Sequence, residues 1–264
     1  MTLSPQRLRT WLLLLIVPVG APALWWFASR DSTSVFFPPL SEILSALYHT
    51  WLRERLVSDV APSLARMFAG YGLAAAAGIG LGLLLGRVTT LRYALDPVVQ
   101  FVRAIPSTAM IPIAILLLGI GDSMKIILIA VVCVFPILLN TIDGVRGVEA
   151  TLNDVARSYR LTPWQRAAYL LLPSAALPIF AGLRIAMSVA FIVMIISEMI
   201  GATNGIGYAT LAAQRNFRIP EMWAGMILMG VLGYLLNNGF LAIEKRLLHA
   251  HLGARASQTE AGVA

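Results

Sequence analysis

Few side chains in this sequence are of kinds that do chemistry, and their spacing is poor for it. Lysine occurs only at Lys125 and Lys245, and neither follows glycine. The Gly-x-x-x-x-Gly-Lys loop that cradles nucleotide phosphates is therefore absent, and ATP cannot bind by that route. The three histidines, His49, His249 and His251, form no His-Glu-x-x-His pair for zinc, and there is no Gly-x-Ser-x-Gly elbow for a nucleophilic serine. His249 and His251 are near enough to share a metal, but a solvated tail explains them more simply. Cys133, the one cysteine, lies inside an apolar run, so there is neither a disulfide framework nor a thiolate cluster. No catalytic residue, metal site or cofactor is expected.

What remains is a small set of polar side chains inside apolar runs: Arg103, Asn140, Arg184 and Glu198. An ionisable group in hydrocarbon is costly, which makes each a candidate for a transport pathway or for a structural pair. Glu198 reads as the one carboxylate of the apolar body, near the outer end of its run, and both roles stay open for it. Arg103 fits a snorkelling or structurally paired residue better than a substrate contact.

Those residues sit in elements that composition identifies as membrane-spanning. Hydrophobic residues make up 58% of the 264 and charged ones 12%, with a mean hydropathy of +0.79. Soluble domains average about 25% charged residues. The +7 net charge does not indicate nucleic acid, because the basic residues, eighteen of twenty being Arg, are scattered at the ends of apolar runs. Six spans are expected, at 11–28, 62–86, 97–119, 124–142, 174–199 and 221–243. For the first, a retained span is favoured over a cleaved signal peptide, although Ala21-Pro22-Ala23 loosely resembles a cleavage site. In between, Phe37-Pro38-Pro39 turns the chain. Ser41 is then expected to cap an amphipathic surface stretch with Leu44, Leu47, Tyr48, Trp51 and Leu52 on one side.

Gly70, Ala74, Gly78, Gly82 and Gly86 recur every four residues in the second span, a stripe that lets another helix approach closely. Gly72, Ala76 and Gly80 suggest a second packing side. Pro106 and Pro112 should bend or break the third span. Residues 200–220 read as a Gly-rich outer loop, its Gly205-Ile206-Gly207 a turn, and the last dozen residues as a disordered polar tail.

Between the fourth and fifth spans lies a polar, Arg-bearing island, TLNDVARSYRLTPWQRAAYLLLP at 151–173. Thr151 with Asp154, and Thr162 with Gln165 behind Pro163, mark two short capped helices, and Pro173 should end the second. With both termini cytoplasmic, eleven basic residues lie inside and seven outside, which places this loop in the cytoplasm.

At these residues the chain resembles the permease subunits of bacterial ABC importers, whose loop reads E-A-A, three residues, Gly, nine residues, an apolar residue, any residue, Leu-Pro. Asp154-Val155-Ala156 fills the first slot, with Arg157 following it, and Leu170 and Leu172-Pro173 fill the last; Arg160, before Leu161, stands where the family has Gly. The resemblance spans about 36–248 and is closest to the nitrate, sulfonate and taurine branch. The segments 36–44, 103–112, 135–146, 172–184 and 197–208 carry it.

It implies an all-α, polytopic membrane fold of the methionine-importer-like type. One transmembrane domain would cover 1–264: a cytoplasmic tail at 1–10, a membrane body at 11–248 with the coupling loop at 143–173, and a polar tail at 249–264. It also implies a non-enzymatic transport subunit in the bacterial cytoplasmic membrane. The implied partners are the lipid bilayer, a second permease copy, two ATP-binding subunits and a solute-binding protein, with no nucleic acid. A self-contained secondary transporter or channel is the alternative, but it would need an ion-coupling cluster that Glu198 alone does not make. A structural membrane anchor would not need bent spans.

Overall fold

The computed structural model describes residues 19–261, and side-chain surroundings through residue 248. Its described elements are all helical. Helix α1 covers 19–29, within the apolar run expected at 11–28; the start of that run lies outside the described residues. Ser29 at its end is fully buried and its Oγ accepts the Leu40 N–H at 3.1 Å, tying α1 to α2 (Leu40–Ala46). Helix α2 begins after Pro39, not at the expected Ser41 cap, because Pro39 already holds the extended backbone (φ −54°, ψ 138°) from which a helix starts.

Residues Leu47–Glu54 and Leu56–Val60 wind as wider π turns and run into α3 (Ala61–Arg87). The expected single apolar face splits here. Ile43 and Trp51 are buried, while Leu44, Tyr48 and Leu52 are exposed on the adjacent stripe. Trp51 is held by its Nε1, which donates to Glu221 O at 3.0 Å.

Helix α3 makes its most extensive contact with α6 (Asp122–Arg146). A methyl group placed on Gly70 would lie 2.8 Å from Ile129 Cβ, on Gly78 2.8 Å from Ile137 Cβ, on Gly82 2.5 Å from Thr141 Cβ, and on Gly86 2.7 Å from Val145 Cβ. Each four-residue step along α3 meets a four-residue step in the same direction along α6, so the two helices run parallel. The missing Cβ atoms let the backbones approach to where dispersion and weak Cα–H contacts hold them. A Cβ placed on Gly72 or Gly80 would meet no heavy atom of another element within 4 Å, so among the described residues nothing packs against these two glycines of the second stripe.

Helices α4 (Thr89–Ala104) and α5 (Ser107–Leu118) form one broken span with a 94° bend. The break falls at Ile105-Pro106 alone. Ile105 is extended (φ −73°, ψ 122°), as a residue before proline prefers, whereas Pro112, expected to interrupt the span as well, is carried inside α5.

After a short loop region come α10 (Ala176–Gly201), α11 (Ile206–Arg215) and α12 (Ile219–Ala261). Helix α11 occupies about half of the expected outer loop. Its Ile206, Ala209, Thr210 and Ala213 recur at helical spacing and are buried, a periodicity that the flanking glycines obscure. Helix α12 continues to Ala261 through the tail expected to be disordered, where Ala, Arg, Gln and Glu favour a helix. Among the described residues, four helices are long and apolar enough to cross a membrane: Leu56–Arg87, Asp122–Arg146, Ala176–Gly201 and Ile219–Leu248. The bent pair, counted as one span, makes a fifth.

The α3–α6 contact makes a paired prediction. Gly82→Leu forces the helices apart and should cost at least about 1–3 kcal/mol, seen as lost folded yield after extraction. Gly72→Leu, on the same helix in open space, should leave the yield unchanged.

Candidate functional site

The polar loop begins with α7 (Ala150–Ser158). Thr151 does not cap it. Glu149 is the N-cap (φ −55°, ψ 141°), and Thr151 Oγ1 donates to Glu149 Oε2 at 3.4 Å, because the chain re-enters helix soon after leaving α6 at Gly147. At its other end, Arg160 takes a left-handed conformation at φ 51°. Arg160 N–H donates to Arg157 O at 2.9 Å and Leu161 N–H to Ala156 O at 3.1 Å, the paired bonds of a Schellman turn. The turn usually built with glycine is thus retained with arginine.

The second short helix starts at Thr162 with both halves of a capping box. Gln165 N–H donates to Thr162 Oγ1 at 3.3 Å, and Thr162 N–H to Gln165 Oε1 at 2.9 Å. It runs as α8 (Pro163–Arg166), a π turn at Ala167–Leu171 and α9 (Leu172–Ser174). Pro173 does not end it. The π turn before it, closed by Leu172 N–H to Ala167 O, makes room for the ring, and the break falls at Ala175 (φ −87°, ψ 3°).

Two arginines fasten the loop. Arg87 Nη1 donates to Pro163 O at 3.2 Å and Arg166 Nη2 to Asn153 Oδ1 at 2.6 Å. Ala156 and Leu171 are buried, Leu171 against Val145 and Ile179 of the body. The loop also exposes large side chains: Val155, Tyr159 (78% exposed), Trp164 (78%) and Tyr169 (77%). Asp154 and Arg157 form an exposed pair at 3.5 Å. Aromatic groups presented on short, internally bonded helices are what a protein-docking surface is made of.

At the opposite ends of the spans lies a buried charge cluster that sequence reasoning caught only at Glu198. Glu198 is 0% exposed. Its Oε1 accepts from Ser63 Oγ at 2.7 Å and from Arg66 Nη1 at 3.0 Å, and its Oε2 accepts from Gly207 N–H at 3.1 Å. Arg66 Nη2 donates to Asn204 Oδ1 at 2.6 Å, and its Nε pairs with Asp122 Oδ1 at 2.8 Å. Lys125 Nζ stands 3.8 Å from the same Asp122 oxygen. Asp59 Oδ1 accepts from Gly205 N–H at 2.8 Å and Ser63 Oγ from Ile206 N–H at 3.0 Å.

The first free N–H groups of α11 are thereby satisfied by two carboxylates and a hydroxyl from three other elements, with negative charge at the positive helix end. Gly205 sits at φ 121°, and a Cβ there would fall on the Glu198 carboxyl. Gly205-Ile206-Gly207 is therefore a carboxylate cradle and not only a turn. A signal was available: Ser63 and Arg66, three residues apart, continue the Gly70 stripe toward its N-terminal end.

The other polar candidates lie apart. Asn140 Nδ2 donates to Pro136 O at 2.8 Å, at a crossing where a Cβ on Gly182 would lie 2.8 Å from Asn140 Cβ. Arg184 pairs with Glu244 of α12, a nearly buried carboxylate in the final helix. Arg103 opens onto a cavity of about 490 Å³ at the α4–α5 elbow, walled by Pro106, Ser107, Phe135, Leu139 and Val189.

Removing Glu198 leaves the buried Arg66 with only the largely exposed Asp122 as counter-charge. Glu198→Ala should lower stability by about 3–5 kcal/mol. Glu198→Ala combined with Arg66→Met should recover part of that loss. Thermal unfolding of the detergent-solubilised chain measures both.

Residues 78–249 match the family described as the binding-protein-dependent transport system inner membrane component. The aliphatic sulfonates transport permease protein SsuC of Bacillus subtilis (strain 168) is 30% identical, covering 93% of this chain and 90% of its own length. The taurine transport system permease protein TauC of Escherichia coli (strain K12) is 28% identical, covering 86% of each. An inward-facing structure of the MetNI methionine ABC transporter superposes with a TM-score of 0.64 at 22% identity, covering 75% of this chain and 96% of the other. The chain belongs to the family of membrane permeases of binding-protein-dependent ABC importers.

Proposed function

We propose that this chain lines the import pathway for a small anionic solute, as one of two identical permease copies. Two separate ATP-hydrolysing subunits dock at the 151–173 loop, and a solute-binding protein delivers the solute on the opposite side. The chain lies in the cytoplasmic membrane of a bacterium with both termini and the loop inside. The observation that carries this reading is the loop itself: a pair of short helices, joined to each other by Arg166 and to α3 by Arg87, that presents Tyr159, Trp164 and Tyr169 outward. Asp154, Val155, Arg157, Arg160 and Leu161 form its first helix and tip, and Leu172-Pro173 join it to the membrane body.

Coupling follows from population shift. Closure of the ATPase pair changes the spacing of the two docked loops, and packed helices convert that into inward- and outward-open arrangements. An anionic group on the solute is supported by the relatives named for sulfonates and for taurine, which carries a sulfonate beside its ammonium. The basic, apolar-walled cavity at Arg103 supports it too. Arg184 and Glu198, each held in an ion pair, and Asn140, bonded to Pro136 O, serve structure.

Arg160 projects from the tip, so Arg160→Glu should reduce co-purification of the ATPase subunit at low salt more than Arg160→Gly does. Retention of the partner by the Glu variant at the parent level would limit Arg160 to shaping the turn. At the elbow, Arg103→Gln should raise KM about tenfold or more for taurine or an alkanesulfonate, whichever the parent imports, and Arg103→Lys should restore most of the affinity.

A further inference from the structure

A second cavity, of about 890 Å³, lies where the 151–173 loop meets the ends of α3 and α6. Arg87, Arg146 and Arg166 stand in its wall, and no carboxylate does. Arg166 Nε is buried without a hydrogen-bond partner, and Arg87 and Arg146 are exposed. Three guanidiniums with no counter-charge in the same wall attract an anion, and an unsatisfied buried donor favours one that accepts a hydrogen bond.

The rest of the wall is apolar and says what kind of anion. Gly80, Leu83 and Leu84 line the cavity along α3 before Arg87 is reached, and Leu84 is 47% exposed. From residue 80 to residue 87 the helix rises about 10 Å, passing from a bare apolar surface to a cationic one. Trp164, amphipathic and 78% exposed, stands in the same wall as the arginines, a residue type that favours the headgroup level of a bilayer. A soluble anion would use the arginines and leave the apolar groove empty, and an acidic protein loop would not need it. A phospholipid uses both, with acyl chain along Leu83 and Leu84 and phosphate among the arginines.

We propose that this cavity is a site for an anionic phospholipid of the cytoplasmic leaflet, wedged between the docking loop and the α3–α6 pair. The proposal rests on the reading that the 151–173 loop is cytoplasmic. Because Arg87 and Arg166 also fasten the loop, an occupying headgroup bridges the loop to the membrane body and stiffens it where the ATPase subunit pulls.

The test is lipid retention by the purified full chain, with and without its ATPase subunit, measured by native mass spectrometry. Phosphatidylglycerol is titrated against phosphatidylcholine of identical chains. The parent should retain phosphatidylglycerol preferentially, and Arg146→Gln and Arg87→Gln should each reduce the preference by about fivefold. Arg55→Gln, remote from the cavity, should leave it intact. Equal retention of the two lipids by the parent overturns the proposal. So does a preference unchanged in both cavity variants. Loss of the preference in millimolar inorganic phosphate makes it a free-anion site, and loss on binding the ATPase subunit makes it a protein contact; either overturns the lipid assignment. The retention assay is in detergent and independent of sidedness. A lipid preference with the loop mapped outside by thiol labelling would overturn the topology and not the site.

Discussion

The parallel approach of α3 to α6 without intervening side chains is the constraint on which the other features hang. Gly70, Gly78, Gly82 and Gly86 bring the two backbones together over four turns, and each meets a Cβ-bearing residue of α6 in register. In hydrocarbon there is no hydrophobic gain from bringing apolar helices together, so this shape fit must supply the attraction. The pair then acts as one beam. At one end Arg66 and Asp122 pair across it, and at the other Arg87 and Arg146 face a common cavity. Twenty-one residues separate Arg66 from Arg87, a rise of about 32 Å, close to the thickness of a bilayer's hydrocarbon core. The charged residues at the two ends set the depth of the beam.

The loop and the buried charge cluster are joined to the beam by different kinds of interaction. The loop is pinned by a directional bond, Arg87 to Pro163 O, and by Gly144, where a Cβ would lie 2.9 Å from Ala175 Cβ, while Arg166 to Asn153 ties its two short helices together. A push on the loop is thus delivered to backbone. The cluster gathers Asp59, Ser63, Arg66, Asp122, Glu198 and the start of α11 around one buried carboxylate. Such a network has few partial states, since any opened bond leaves a charge or a helix N–H unsatisfied in a dry site. The end of α10 and the start of α11 therefore move with the beam or break from it entirely, the behaviour expected of a two-position element.

Legibility in the sequence follows the range of the interaction. The spans were readable because hydropathy is summed over twenty residues, and the broken span because Pro106 acts on the residue before it. The Thr162 capping box needs only four consecutive residues. The Thr151 cap and the Ser41 cap failed although they use the same logic. In each case neighbouring backbone, Glu149 or Pro39, entered the extended state first, and a local pattern cannot rank two local starts. The charge cluster was mostly invisible because its members come from positions 59 to 207, and only Glu198 sits in a plainly apolar context. Helix α11 was hidden for the opposite reason: glycines that look like loop formers are there to clear space for Glu198.

Arg160 shows how much of the loop's shape is set by bonds and how much by residue identity. A non-glycine residue at positive φ costs roughly 1 kcal/mol, and arginine has no short side-chain bond to offset it, as asparagine would. Yet the Schellman pair at Ala156 and Arg157 forms with ordinary lengths, and the capping box follows only two residues later. Between those two bonded units the chain has no freedom to choose another turn. A helix running on through Leu161 would forfeit the Thr162 cap and drive the residue before Pro163 into a conformation that proline disfavours. The flanking bonds outweigh the penalty. The tip keeps the geometry that glycine would give while carrying a positive charge in its place.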